Sequence, residues 1–215
     1  MPDAVIFDMD GVLLDTERVW DEVREDLTRE RGGAWHPGAQ RDMMGMSSQE
    51  WPVYMAERLA VPMSPDDILV TVGDELIRRY RDALPLLPGA DAAVRRMAGR
   101  WPLGLASSSP LRVILAALEL AGIRDCFTAV VSSEEVGRGK PAPDVYLEAA
   151  TRIGVAADRC WAVEDSTNGI RSAVAAGMRV VVIPNPDYPP HPDAVGAAHL
   201  VVTAVAGLTP DLIEG

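Results

Sequence analysis

The sequence predicts an α/β protein: a doubly wound parallel sheet interrupted after its first strand by a small helical domain. Three observations predict it. Residues 1–15 contain one apolar run, Ala4–Phe7; residues 16–83 read as helices throughout; and from residue 84 onward short apolar runs alternate with helical patterns. Strand alternating with helix implies parallel pairing, because each crossover returns the chain to the same end of the sheet. The expected division is therefore 1–15 and 84–215 for the α/β core and 16–83 for the helical insertion.

The expected strands after Ala4–Phe7 are 103–106, 129–131, 161–163, 180–183 and 200–202. Each is short and bounded by turn residues, as for strands buried on both faces. Between them run amphipathic stretches. Leu111, Ile114, Leu115 and Leu118 share a face before Gly122; Val145, Ala149 and Ile153 do so before Gly154; Ile170, Ala173 and Val174 do so before Gly177. Glycine just past the last periodic residue is a common helix stop. In the insertion, Val19, Trp20, Val23 and Leu27 line a first helix, Trp51, Tyr54, Met55 and Leu59 a second, and Ile68, Leu69, Val72, Leu76 and Tyr80 a third. The third opens with Ser64-Pro65, an N-cap followed by proline at the first helical position. Residues 31–40 and the proline-dense 184–192 read as loops.

Composition excludes several functions. With 215 residues, 48% of them apolar, the chain is neither disordered nor fibrous. It has no apolar run of about 18 residues, so no membrane span is expected. Its opening segment lacks a basic stretch, so no signal peptide is expected. A net charge of −12 argues against nucleic acid. The three histidines are scattered and make no zinc spacing. Cys126 and Cys160 each sit beside an apolar run, which points to two buried free thiols and a reducing, cytoplasmic setting. A monomer is expected. Of the 20 basic residues, 19 are arginine and one is lysine, Lys140. Two readings of it stand: a chance surface position, or a site that needs a compact, mobile ammonium.

In an open parallel sheet, ligands bind beyond the carboxyl ends of the strands. After the first apolar run come Asp8-Met9-Asp10-Gly11, and after the second Ser107-Ser108-Ser109. Lys140-Pro141 lies past the third, and Glu164-Asp165 follow the fourth. Alternation along an extended chain would turn Asp8 and Asp10 to a common point. Aspartates there can also serve as simple turn or helix caps. Two acids about 4 Å apart, however, repel by about 4 kcal/mol at an effective dielectric near 20, and Glu164 and Asp165 add to the charge. A cation resolves this, and oxygen-only ligands select a hard ion such as Mg²⁺. Lys140 would supply a second positive charge for an entering phosphate. The Ser107 hydroxyl and loop N–H groups would bind phosphoryl oxygens, while Ser166 reads as a helix N-cap. No Ser-His-Asp, Cys-His or P-loop arrangement is present. A carboxylate nucleophile, ionised at neutral pH, fits instead, with the second aspartate as general acid and base.

Asp8-Met9-Asp10-Gly11-Val12, Ser107, Lys140-Pro141 and Glu164-Asp165 resemble, in order, the four signature motifs of the haloacid dehalogenase-like superfamily. The helical insertion is similar to its small cap, and the chain is similar over essentially its whole length to the group that holds β-phosphoglucomutase and the sugar-phosphate phosphatases. The resemblance implies a Rossmann-like core and an Asp8 nucleophile with Asp10 as acid/base. It implies Mg²⁺ held by the Asp8 carboxylate, the Asp10 main-chain carbonyl and Asp165, with Glu164 assisting. Ser107, Ser108 and Lys140 would hold the phosphoryl group, and the cap would move about residues 14–16 and 83–87. The cap has no lysine for Schiff-base chemistry. Trp20 stands where the mutases have histidine, and Met46-Ser47-Ser48-Gln49-Glu50 carries no arginine. A phosphatase acting on a small phosphate monoester is expected, with a phosphomutase as the alternative. Glu17, Trp20, Met46, Ser47 and Gln49 are the candidates for substrate choice, although Trp20 also reads as cap core.

Overall fold

In the computed structural model, which describes residues 2–214, the strands are β1 (Ala4–Phe7), β2 (Leu103–Ser107), β3 (Phe127–Ser132), β4 (Cys160–Glu164), β5 (Arg179–Val182) and β6 (Leu200–Val201). All four residues of β1 are buried. Val5 and Phe7 face one hydrophobic core and Ala4 and Ile6 a second, as alternation along a strand requires. Buried on both faces, β1 occupies the centre of a wholly parallel sheet of order β3-β2-β1-β4-β5-β6. The chain builds outward through β2 and β3, then crosses back to β4 and continues through β5 and β6. The order therefore reverses between β1 and β4, where such sheets open a crevice at their carboxyl ends.

The helices are α1 (Glu17–Glu30), α2 (Ala39–Met43), α3 (Trp51–Glu57), α4 (Pro65–Asp82), α5 (Ala90–Ala98), α6 (Leu111–Leu120), α7 (Asp144–Ile153), α8 (Thr167–Ala175), α9 (Pro192–Val195) and α10 (Pro210–Glu214). Val145, Tyr146 and Ala149 of α7 and Ile170 and Ala173 of α8 close the second core. Ala93, Val94 and Met97 of α5 and Val113 and Ile114 of α6 close the first. That core runs on without a break into Trp20, Leu27, Trp51, Met55, Ile68, Val72 and Leu76 of α1, α3 and α4. None of these helices, among the described residues, is long and apolar enough to cross a membrane.

Two chain crossings join α1–α4 to the sheet. They lie side by side: Leu14 bridges Leu86, the Asp15 N–H donates to the Pro85 carbonyl at 2.8 Å, and the Leu87 N–H to the Leu13 carbonyl at 2.9 Å. Ser64 caps α4, its Oγ accepting the Asp67 N–H at 3.1 Å, with Pro65 opening the helix.

Some expectations needed revision. Ala39 and Gln40, expected in a loop, begin α2; at five residues the helix is too short to show a hydrophobic period. Pro192, expected in the 184–192 loop, begins the four-residue α9. Both thiols are free, but only Cys160 is buried; Cys126 is half-buried.

Trp51 is 1% exposed and meets the Trp20 ring edge-on at 5.8 Å between centroids. Trp51→Ala should lower stability by about 3–5 kcal/mol, read from the urea midpoint. A loss below about 1 kcal/mol would show that this indole does not anchor α1 to α3.

Candidate active site

Because β1 and β4 pair with Phe7 beside Val163, the residues that follow each strand emerge at one height. Asp8 comes first, its N–H donating to the Val163 carbonyl at 2.9 Å. Glu164 and Asp165 come from β4, and Lys140 reaches in from the loop between β3 and α7. Its peptide bond to Pro141 is cis. Asp8, Lys140, Glu164 and Asp165 are all buried.

The Lys140 ammonium is the hub. Nζ donates to Glu164 Oε1 at 2.6 Å and stands 3.0 Å from Asp8 Oδ1. That second contact is an ion pair without hydrogen-bond alignment, so Asp8 Oδ1 remains without a hydrogen-bond partner. Burial alone would lower the Lys140 pKa, but the charges of Asp8 and Glu164 outweigh it and hold the group protonated.

Glu164, by contrast, is fully engaged. Oε1 also accepts the Tyr146 hydroxyl at 2.7 Å, and Oε2 accepts the Asp165 N–H, the Ser166 N–H and the Ser166 Oγ–H at 3.1–3.2 Å. It therefore orients Lys140 and ties down the entry to α8. Ser166 also caps α8 through the Gly169 N–H at 3.0 Å.

Oxygen atoms of Asp8, Glu164 and Asp165 lie within 4.8 Å of one another. Three carboxylates against one ammonium leave an excess of negative charge away from water. Burial accordingly pushes the Asp8 carboxyl up to about 8, against the pull of Lys140, and raises Asp165 well above the usual range. Asp8 Oδ1 and Asp165 Oδ1 are buried with no hydrogen-bond partner. Two orphaned carboxylate oxygens in an oxygen-only cluster fit a hard divalent cation, which would supply the missing charge. Gly11 makes room for this arrangement: it holds φ of +77°, and a Cβ there would overlap the Asp165 carboxylate.

The Asp10 carboxylate lies outside that cluster. Thr16 Oγ1 donates to its Oδ1 at 2.7 Å, and Ser109 Oγ and Ser107 Oγ to its Oδ2 at 2.7 and 3.3 Å. β1 ends at Phe7 and the chain turns at Gly11, so strand alternation does not extend to Asp10, yet Asp8 and Asp10 line the same cavity. Ser107 is wholly buried, and its Oγ also accepts the Ser109 N–H at 3.0 Å. Ser108 and Ser109, rather than Ser107, line the cavity above Asp8.

That cavity, of about 350 Å³, is lined by Asp8, Asp10, Lys140 and Asp165 at the rim of the sheet and by residues of α1 and α3. Glu17, Trp20 and Met46 line it as expected. Ser47 and Gln49 do not. Ser47 is buried with its N–H and Oγ–H both donated to Glu50 Oε2 at 2.8 Å, which caps the approach to α3, and Gln49 points into solvent. Burial, then the Asp10 charge, pushes Glu17 up to about 7.

Sequence reasoning gave no site role to Tyr146, Thr16, Arg24 and Trp51, and it missed Tyr188, Pro189 and Pro190, which turn the supposed surface loop into a cavity wall. The helical segment is seated on this wall. Gln40 Nε2 donates to Tyr188 Oη at 2.9 Å, and Ser48 Oγ to the Ser108 carbonyl at 2.7 Å.

A family model described as haloacid dehalogenase-like hydrolase matches residues 2–177. The chain is 34% identical over 209 residues to hexitol phosphatase B of Escherichia coli O157:H7, covering 96% of this chain and 94% of that one. It is 33% identical over 188 residues to the fructose-1-phosphate phosphatase YqaB of Escherichia coli K12, covering 83% and 94%. Its fold matches the crystal structure of CbbY from Rhodobacter sphaeroides in complex with phosphate, with a TM-score of 0.88 over 100% of both chains at 24% identity. The chain belongs to the haloacid dehalogenase-like hydrolases. It is an enzyme of that family whose curated relatives include named phosphatases.

If the orphaned oxygens bind a cation, Mg²⁺ at about a hundred times its Kd should add about 2.7 kcal/mol of stability. For a chain of this size that is about 5–10 °C in Tm. Asp165→Asn should remove most of the shift, and a melting curve indifferent to saturating Mg²⁺ would count against the cluster as a metal site.

Proposed function

We propose that the chain is a Mg²⁺-dependent phosphatase that hydrolyses a small phosphate monoester, a sugar or polyol phosphate, through a phosphorylated Asp8. Residues 1–15 and 84–215 are then the catalytic core and residues 16–83 the cap. The observation that carries this reading is Asp8 itself: a buried carboxylate at the cavity floor, with one oxygen free of hydrogen bonds and a fixed ammonium 3.0 Å away. The names of the relatives, hexitol and fructose-1-phosphate phosphatases, support the substrate class.

In the first step an Asp8 oxygen attacks phosphorus and the bond to the ester oxygen breaks. The Asp10 carboxyl gives its proton to the departing alcohol, while Lys140, Ser108 and Ser109 steady the phosphoryl oxygens. In the second step Asp10, now a carboxylate, takes a proton from water as the water attacks the acyl phosphate, which frees Asp8 and inorganic phosphate. Thr16 and Ser109 hold Asp10 through both steps by their hydrogen bonds at 2.7 Å. A bound Mg²⁺ would neutralise the Asp8 and Asp165 charges and the incoming phosphate. Seating of the cap, through Ser48 and Gln40, keeps bulk water from the acyl phosphate.

The expected result is inorganic phosphate released from sugar and polyol phosphates only when Mg²⁺ is present. Asp8→Asn should abolish it, and Asp10→Asn should reduce kcat by about 10²–10⁴-fold. Failure to release phosphate from any monoester, an activated aryl phosphate included, would overturn the proposal. Isomerised sugar phosphate that depends on a bisphosphate activator would replace it with a phosphomutase.

A further inference from the structure

On the wall that α1 gives to the cavity lies a buried charge that has no ion-pair partner among the described residues. Arg24 sits one turn beyond Trp20 and two turns beyond Glu17 on α1, so all three share the face that lines the cavity. The residue is 8% exposed. Its guanidinium carbon stands 4.6 Å from the centroid of the Trp20 ring and 5.0 Å from that of Trp51. Stacking against two indoles, themselves locked edge to face, fixes the direction of the side chain.

The hydrogen-bonding edge of the group has no taker. Nε is buried without a partner. Among the described residues, no carboxylate comes within ion-pairing distance of the guanidinium. Glu17 and Asp21 are close enough to be felt electrostatically, yet neither closes on it. Buried arginines are ordinarily matched by a carboxylate across their planar fork, because an isolated buried charge is costly. Arg41, from α2, also lines the cavity and adds a second positive charge to it.

We propose that Arg24 is a specificity-determining residue that binds an oxyanion, a carboxylate or a second phosphate, at the end of the substrate remote from the scissile phosphate. This rests on the phosphatase reading for what happens at Asp8, but the recognition step is separate from it. A hydroxyl group would satisfy the donors and leave the charge uncompensated, whereas an oxyanion answers both. The Trp20 and Trp51 clamp also prevents Arg24 from swinging toward Glu17, so the fork is kept open for the ligand. A cavity of about 350 Å³ accommodates a compound of sugar size, with its phosphate on the floor and its second acid against α1. The substrate class that follows is a phosphorylated sugar or polyol bearing a second acidic group.

The test is calorimetric binding to the full chain carrying Asp8→Asn, in saturating Mg²⁺. The ligands are mannitol 1-phosphate, 6-phosphogluconate and fructose 1,6-bisphosphate. A charge-assisted hydrogen bond to a buried arginine predicts that at least one of the last two binds about ten- to a hundredfold tighter than the neutral-tailed ligand. Which of the two prefers the site distinguishes carboxylate from phosphate. Adding Arg24→Gln should erase most of the preference, and Arg24→Lys should keep part of it. Equal affinity for all three ligands overturns the proposal without any Arg24 variant having to fold, as does a preference that survives Arg24→Gln. Turnover by the unmodified chain is measured in parallel. Absence of turnover with the preference intact would sink the phosphatase reading alone, and turnover with no preference would sink this one alone.

Discussion

Three carboxylates packed around one ammonium group, largely shielded from water, set the terms for the rest of the molecule. Lys140 can satisfy Glu164 fully and Asp8 only in part, and it leaves Asp165 unanswered. Such an arrangement is unfavourable by itself. It persists because the central strands β1 and β4 are fixed in register by two hydrophobic cores, so their carboxyl ends cannot move apart. Stability is thus generated in the sheet and used at its rim, where the strand order reverses.

Around this hub each neighbour has a defined task. Tyr146 and the Ser166 and Asp165 amides complete the shell of Glu164, which keeps the only lysine of the chain pointed at Asp8. Gly11 and Gly169 are small where a Cβ would collide with Asp165 and Glu164 respectively. Thr16 draws the Asp10 carboxylate toward the start of α1, so the first residue of the helical segment touches the site directly. Cap and floor are linked through that hydroxyl as well as through the two chain crossings.

Much of this was legible in the sequence, and the reason is electrostatic. Asp8, Lys140 and Asp165 announce themselves because charged residues directly after buried strands have few structural explanations. The parallel sheet was legible from strand-helix alternation, and α1, α3 and α4 from their apolar faces. Other features left no one-dimensional trace. Tyr146 reads as one more core residue of α7, and its hydrogen bond to Glu164 exists only once α7 packs on β1, β2 and β3. Asp10 shares the cavity with Asp8 although the strand that was to align the two has already ended at Phe7. Ser47 and Gln49 were chosen for lying in the loop before α3, yet Glu50 folds that loop so that Ser47 turns inward to it. The 184–192 loop looked like surface because prolines carry no contact information, and Gln40 to Tyr188 spans 148 residues. Arg24 was hidden among nineteen arginines.

Trp20 and Trp51 knit α1 to α3 inside the apolar interior, and the same two rings flank Arg24. Selectivity and foldedness therefore share atoms. A lineage could not exchange this guanidinium for another reader by altering the aromatic pair without loosening the helical lobe. Divergence toward new metabolites should instead enter through Met46 or the proline-rich wall at Tyr188, which border the chamber and carry less of the interior packing.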